Sequence, residues 1–183
     1  MNMKELIFVT GNDNKAREAA AVLGVDVKRV KLELEELQSM DLRVIVEHKA
    51  RQAYAKIGEP LFIEDVALDI KQWKGFPGPL VRWINETIGF DNLPSVLKKG
   101  SRAVTWTAMV GYFDGQTLHT FSASENGRIA LSPRGTDGFG FDRIFIPKGY
   151  AKTVAELGEA VKNKQSARYL AFKKLRQFLS SRG

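Results

Sequence analysis

The chain has 183 residues, 44% hydrophobic and 27% charged, enough to bury the core of a single folded domain spanning 1–183 and too apolar for a disordered tract. It has no cysteine, which excludes disulfides, thiol catalysis and thiolate metal sites. The opening Met1–Glu5 leads into no secretory core, and no apolar run approaches the roughly 18 residues of a membrane span, so the expected place is the cytoplasm. A net charge of +7 favours phosphate-bearing partners, and two histidines, His48 and His119, are too few and too far apart for a histidine metal site.

In chain order, Leu6–Val9 reads as a buried strand running into the polar turn Thr10-Gly11-Asn12-Asp13-Asn14, then into an Ala-rich helix closed by Gly24. Thr10, Asn12 or Asp13 caps that helix, and its positive end with Lys15 and Arg17 reads either as a place for an anion or as an ordinary capped turn with solvated basic residues. The turn is neither a Walker loop nor a G-x-G-x-x-G fingerprint. Val25–Val30 alternates as a second strand, parallel to the first across the helix, and leads to the carboxylate-bearing connection Leu34–Ser39. Apolar residues at helical spacing from Asp41 to Ile57 predict a helix stopped by Gly58-Glu59-Pro60. In Leu61–Leu68 an apolar strand ends in Glu64-Asp65 before the apolar run resumes. Two charges in that setting need pairing, a metal or an exit to solvent, and the readings are a magnesium-and-base site at a strand's carboxyl end or a strand end whose carboxylates reach solvent or cap the next turn.

The stiff loop Lys74–Pro79 precedes helical spacing over Leu80–Phe90 and a short helix over Leu93–Leu97. Ala103–Phe113 and Leu118–Glu125 flank an Asp114-Gly115 turn and read as a hairpin, so the sheet is mixed and long enough to spread over two lobes. Gly138-Phe139-Gly140-Phe141-Asp142 places two rings and a carboxylate on thin backbone, a pattern suited equally to stacking on a flat base or to a plain aromatic hairpin core. Thr153–Leu157 introduces a helix, and Lys162–Arg168 opens the last one, with Ser166 as its cap and Leu170, Ala171, Leu175, Phe178 and Leu179 facing a core.

Taken together, Thr10-Gly11-Asn12-x-x-Lys15, Glu64-Asp65, Phe76-Pro77-Gly78, Pro133-Arg134-Gly135 with Gly138–Asp142, Ala155-Glu156-Leu157, and Lys162 with Ser166-x-Arg168 stand in the order seen in the inosine triphosphate pyrophosphatase, or Ham1-like, family. The chain resembles that family over nearly its whole length. The resemblance implies an α/β fold with a long mixed β-sheet flanked by helices, in two lobes around a central nucleotide-binding cleft. It implies a cytoplasmic homodimer that uses Mg2+ to hydrolyse ITP, dITP and XTP to the monophosphate and pyrophosphate. By position it assigns Lys15, with Thr10 and Asn12 of the turn that holds Gly11, to the triphosphate, Glu36 to the metal, and Asp65 to the metal and as general base; Glu64 beside it is a further hard oxygen donor fit for magnesium. Phe139, Gly140, Phe141 and Asp142 match the base-binding segment, Lys162 a further substrate ligand and Arg168 the base-recognising arginine. Val66 and Ala167 fall at substrate-contacting positions but depart from the family's Ser and His, and Phe141 and Arg143 replace its Tyr or Trp and its Pro.

Two other readings compete. A degenerate member would bind nucleotides without hydrolysing them, and the replacements at Val66 and Ala167 motivate it. A nucleic-acid-binding module would use the positive charge and the aromatics, but Glu33, Glu35, Glu36 and Glu64-Asp65 repel a phosphate backbone.

Overall fold

The structure, a computed structural model, describes residues 5–97 and 99–182, Asn163 by its backbone alone. Residues 1–4 of the opening segment, read above for an export signal, lie outside the described residues. The strands are β1 (Leu6–Val9), β2 (Val27–Val30), β3 (Leu61–Ile70), β4 (Pro77–Gly78), β5 (Ala103–Phe113), β6 (Leu118–Ile129) and β7 (Phe145–Pro147). The helices are α1 (Asp13–Leu23), α2 (Leu42–Ile57), α3 (Val81–Thr87), α4 (Leu93–Val96), α5 (Val154–Leu157), α6 (Glu159–Gln165) and α7 (Ala167–Ser180). Among the described residues, seven strands form one mixed sheet in the order β2-β1-β3-β5-β6-β7, with β4 beside β3. No helix among the described residues is long and apolar enough to cross a membrane.

Two compact units divide the chain, the first comprising 1–65, 108–123 and 168–183, the second 66–107 and 124–167. In the first, β1 pairs in parallel with β2 over all four residues and with β3 through Ile7–Leu61 and Phe8–Phe62. Side chains alternate along β3. Phe62 stacks on Phe8 at 4.4 Å between ring centroids, and Phe172 of α7 meets both rings edge-on at 5.9 and 6.1 Å. All three rings are fully buried, each worth about 1.5–3 kcal/mol. Ile63 points the other way: a Cβ on Gly111 would lie 2.5 Å from Val46 of α2 and 3.8 Å from Ile63. Helices α1 and α7 thus cover one face of β3 and α2 the other.

In the second unit, β3 pairs antiparallel with β4, and β6 with β7 through Gly127–Pro147, Arg128–Ile146 and Ile129–Phe145. Gly127 is obligatory, because a Cβ there would sit 2.4 Å from the Ile146 carbonyl and 2.5 Å from the Phe145 ring. Phe141, Phe145 and Trp106 build the core around it. Arg102 donates to the carbonyls of Leu97 at 2.6 Å and Ile129 at 2.8 Å, tying the end of α4 to the end of β6.

Two departures from the sequence reading bear on the site. Strand β3 does not end at Glu64-Asp65 but runs on to Ile70, because both carboxylates find cationic partners and need no exit to solvent. Lys162–Gln165 belongs to a separate helix, α6, which stops at Ser166 in extended backbone (φ −61°, ψ 152°) before α7 begins.

Candidate active site

The β1–α1 turn is built by its own side chains. Thr10 Oγ1 accepts from the Asn12 N–H at 3.1 Å, and Asn12 Oδ1 accepts from the N–H groups of Asn14 at 2.9 Å and Lys15 at 3.2 Å. Asn12 is therefore the cap that the sequence left among three candidates. It consumes two of the helix's leading donors, and the positive end of α1 and the Lys15 ammonium lie at the turn with the Asp13 carboxylate, which pairs with Arg29. A Cβ added to Gly11 would meet nothing within 4 Å, so the space above that residue is open.

Lys15 reaches across to β3. Its Nζ lies 2.7 Å from Glu64 Oε2 and 3.3 Å from the Glu64 carbonyl. The other carboxylate oxygen of Glu64 accepts from Arg168 Nε at 3.0 Å, and Arg168 Nη1 donates to Glu18 Oε2 at 2.9 Å. The Glu64 side chain is wholly buried. Burial pushes its carboxyl up, but Arg168 and Lys15 outweigh that and hold it below the ordinary value of 4.5. Burial likewise pulls the Arg168 guanidinium down, and Glu64 and Glu18 more than restore it. Arg168, expected at the base, has its guanidinium enclosed by two carboxylates of this unit.

Asp65, one residue on, faces α2. Lys49 Nζ sits 2.7 Å from Asp65 Oδ2 and 3.1 Å from Glu36 Oε1, and burial, which lowers the Lys49 pKa, is overcome by these two neighbours, which raise it. The connection that carries Glu36 has no regular structure, yet it is clipped to α2: Gln52 accepts from the Glu35 N–H at 3.0 Å and donates to the Glu35 carbonyl at 3.3 Å. Two lysines from two helices therefore bracket the Glu64-Asp65 dipeptide from opposite faces of β3, just past the last pairing of β3 with β1.

Of the three carboxylates expected to share a metal, Glu36 and Asp65 converge on one cation, the Lys49 ammonium, and Glu64 turns to the other face. No cluster of three His, Cys, Asp or Glu with metal-binding geometry occurs among the described residues. The pair still fits Mg2+, a hard ion bound through one or two carboxylates with water and phosphate oxygens completing the shell.

In the second unit, the Phe139 N–H and Lys162 Nζ both donate to Asp142 Oδ2, at 2.8 and 2.7 Å, and Lys162 Nζ lies 4.0 Å from the centre of the half-buried Phe139 ring. Gly138 makes this turn possible at φ +83°, where a Cβ would strike Asp142 at 2.3 Å. Phe141, the second ring expected on a base, is buried against Phe90, Trp106 and Phe145 and serves the core. Beside it Trp106 Nε1 donates to Glu125 at 2.9 Å, and a small cavity opens between Glu125, Asp142, Lys162, Gln165 and Ser166. Burial raises the Glu125 carboxyl, Asp142 adds to the rise, and the N–H groups of Trp106 and Ala167 work against it. Ala167 is fully buried, Val66 half-buried and Gly140 exposed.

Lys49, Gln52, Glu18 and Glu125 were not singled out from the sequence. Lys49 left a trace, a charge within the apolar face of α2 between Ile45, Val46 and Ala53. Glu18 and Glu125 left none, since their partners come from distant segments.

The sequence profile of the Ham1 family matches residues 6–178. The chain belongs to the Ham1 family. Its relatives include the dITP/XTP pyrophosphatase of Methanopyrus kandleri, 38% identical over 95% of both chains, and the inosine triphosphate pyrophosphatase of Kluyveromyces lactis, 36% identical over the full length of both. Among solved structures, the Ham1 protein of Coxiella burnetii has a TM-score of 0.85 at 23% identity and that of Staphylococcus aureus 0.83 at 21%. They cover 98% of this chain and all of the other, and they establish the Ham1 fold.

Proposed function

We infer that the protein is a nucleoside triphosphate pyrophosphatase, cleaving ITP, dITP and XTP between the α- and β-phosphoryl groups to release the monophosphate and pyrophosphate. The Ham1 relatives named for this activity support the reaction. The observation that carries the reading to particular residues is the bracketing of Glu64-Asp65 by Lys15 and Lys49 beside the positive end of α1. Phosphoryl transfer needs charge neutralisation, alignment and a proton acceptor, and this unit supplies each.

Lys15 and the α1 terminus, with Thr10, Gly11 and Asn12 shaping the turn, hold the triphosphate. Asp65 accepts the proton of the attacking water, while a P–O bond to water forms and the bond to the departing pyrophosphate breaks. Glu36 and Asp65 would hold Mg2+, which supplies Lewis acidity at the phosphate oxygens when bound. Glu64 stays charged and orients Lys15. In the second unit, Phe139 offers a ring for a base, steadied by Asp142 and Lys162. A homodimer in the cytoplasm completes the proposal.

The deciding experiment measures pyrophosphate release from ITP, XTP, dITP, GTP and ATP with and without Mg2+, beside nucleotide affinity by calorimetry. Release from ITP and XTP that needs the metal, with ATP poorest, supports the reading. Tight binding of ITP without release would identify a nucleotide-binding member that does not hydrolyse, and failure to bind any of the five would overturn the proposal.

A further inference from the structure

We propose that Glu18 is a positioning residue that sets the strength of the anion site at Lys15. The inference rests on the reading of Lys15 as the phosphate ligand. Lys15, Glu64, Arg168 and Glu18 form a chain of alternating charge with links of 2.7, 3.0 and 2.9 Å, threaded through α1, β3, α7 and back to α1. The Glu64 side chain is fully buried, and those of Arg168, Glu18 and Lys15 are 6%, 15% and 16% exposed, so solvent screens the chain little. Its charges cancel in pairs.

That cancellation has a direction. Glu64 is shared between two cations, Lys15 on one oxygen and Arg168 on the other. Glu18 satisfies the far side of Arg168, so the guanidinium does not draw Glu64 wholly to itself, and Glu64 keeps its hold on Lys15. The ammonium is thus partly neutralised at rest, and an incoming phosphate competes with Glu64 for it. Glu18 also follows Lys15 by three positions on α1, one turn away, so its own charge opposes any polyanion at the turn. Both effects moderate affinity for phosphate, a useful restraint in an enzyme that must release pyrophosphate.

Glu18→Gln keeps the hydrogen-bond acceptor for Arg168 and removes only the charge. Inhibition constants for phosphate, pyrophosphate and tripolyphosphate against ITP hydrolysis are the readout. The expected result is about three- to tenfold tighter inhibition by tripolyphosphate, a smaller gain for pyrophosphate and the least for phosphate, with kcat not raised. Unchanged constants in a folded variant, an equal change for all three anions, or a fall in kcat alone would overturn the proposal, because a merely structural role would not grade with ligand charge. If Glu18→Gln fails to fold, Glu18→Asp keeps the charge and withdraws it from Arg168; a gain of about two- to threefold with the same order supports the inference, and none overturns it. Lys15→Ala separates the two claims. Weakened inhibition in that variant with no tightening in Glu18→Gln removes the role of Glu18 alone, whereas constants unmoved by Lys15→Ala remove the phosphate site itself.

Discussion

At the scale of single residues, Asp65 and Glu64 stand side by side and are expected to behave in opposite ways. With Asp65 as the proposed proton acceptor and the charge clamp left in place, Asp65→Asn should lower turnover about 10²- to 10⁴-fold while nucleotide affinity stays within about tenfold. Steady-state kinetics beside calorimetry check it, and near-normal turnover would remove Asp65 from the chemistry. Glu64 contributes to stability instead. Its carboxyl lies below the ordinary value of 4.5, so its stabilisation is fully present above that pH and is lost as the pH falls through the lower folded value. Glu64→Gln should flatten that acid limb in pH-dependent denaturation and destabilise at neutral pH by about 3–5 kcal/mol, since Arg168 and Lys15 lose their shared partner. Lys49 admits a test free of catalysis. If it and a divalent ion compete for Glu36 and Asp65, Lys49→Met should bind Mg2+ several-fold more tightly by calorimetry in the absence of nucleotide, and an unchanged or weaker affinity would contradict a metal at that pair.

At the scale of elements, periodicity and punctuation in the sequence located most of the chain, and the failures have a common cause. Helix α1 ends at Gly24 and α2 at Gly58 as read, each glycine in left-handed backbone that a side chain disfavours. Ser166, read as the cap of the last helix, does stand just before α7, whereas the separate helix α6 ahead of it is not legible, because the charge pattern of Lys162–Arg168 continues helical spacing across Ser166. The sequence shows which residues are charged but not which distant charges answer them, so it ends β3 at Glu64-Asp65, where Lys15 and Lys49 let the strand continue. For the same reason Lys15 and Asp65 were legible from their motifs, whereas Lys49 and Glu18 emerged only once helices lay against β3. Packing makes its own demand on α7. Phe172 closes the ring cluster on Phe8 and Phe62, so Phe172→Ala should cost about 3–5 kcal/mol in chemical denaturation. A loss under about 1 kcal/mol would mean that the cluster repacks.

At the scale of the whole molecule, the net charge of +7 acts on every phosphate-bearing ligand at once. KM for ITP should rise steadily with ionic strength while kcat changes little, and a salt-independent KM would confine the attraction to short-range contacts. The two compact units are not two stretches of sequence. The first is assembled from three segments and the second from two, with crossings inside β3, β5 and β6 and at the start of α7. Neither can be excised as one continuous fragment.

This interleaving bears on how the protein is made. In order of synthesis, Lys15, Glu18 and Glu64 leave the ribosome long before Arg168, the guanidinium that joins Glu18 to Glu64. Until α7 follows, the nascent chain holds a carboxylate destined for burial with half its partners missing, and the rings of Phe8 and Phe62 without their lid. A message cut short upstream of α7 should therefore yield a chain that leaves the Phe8–Phe62 rings uncovered and the Glu64–Arg168–Glu18 links unmade, open to proteases rather than half-active.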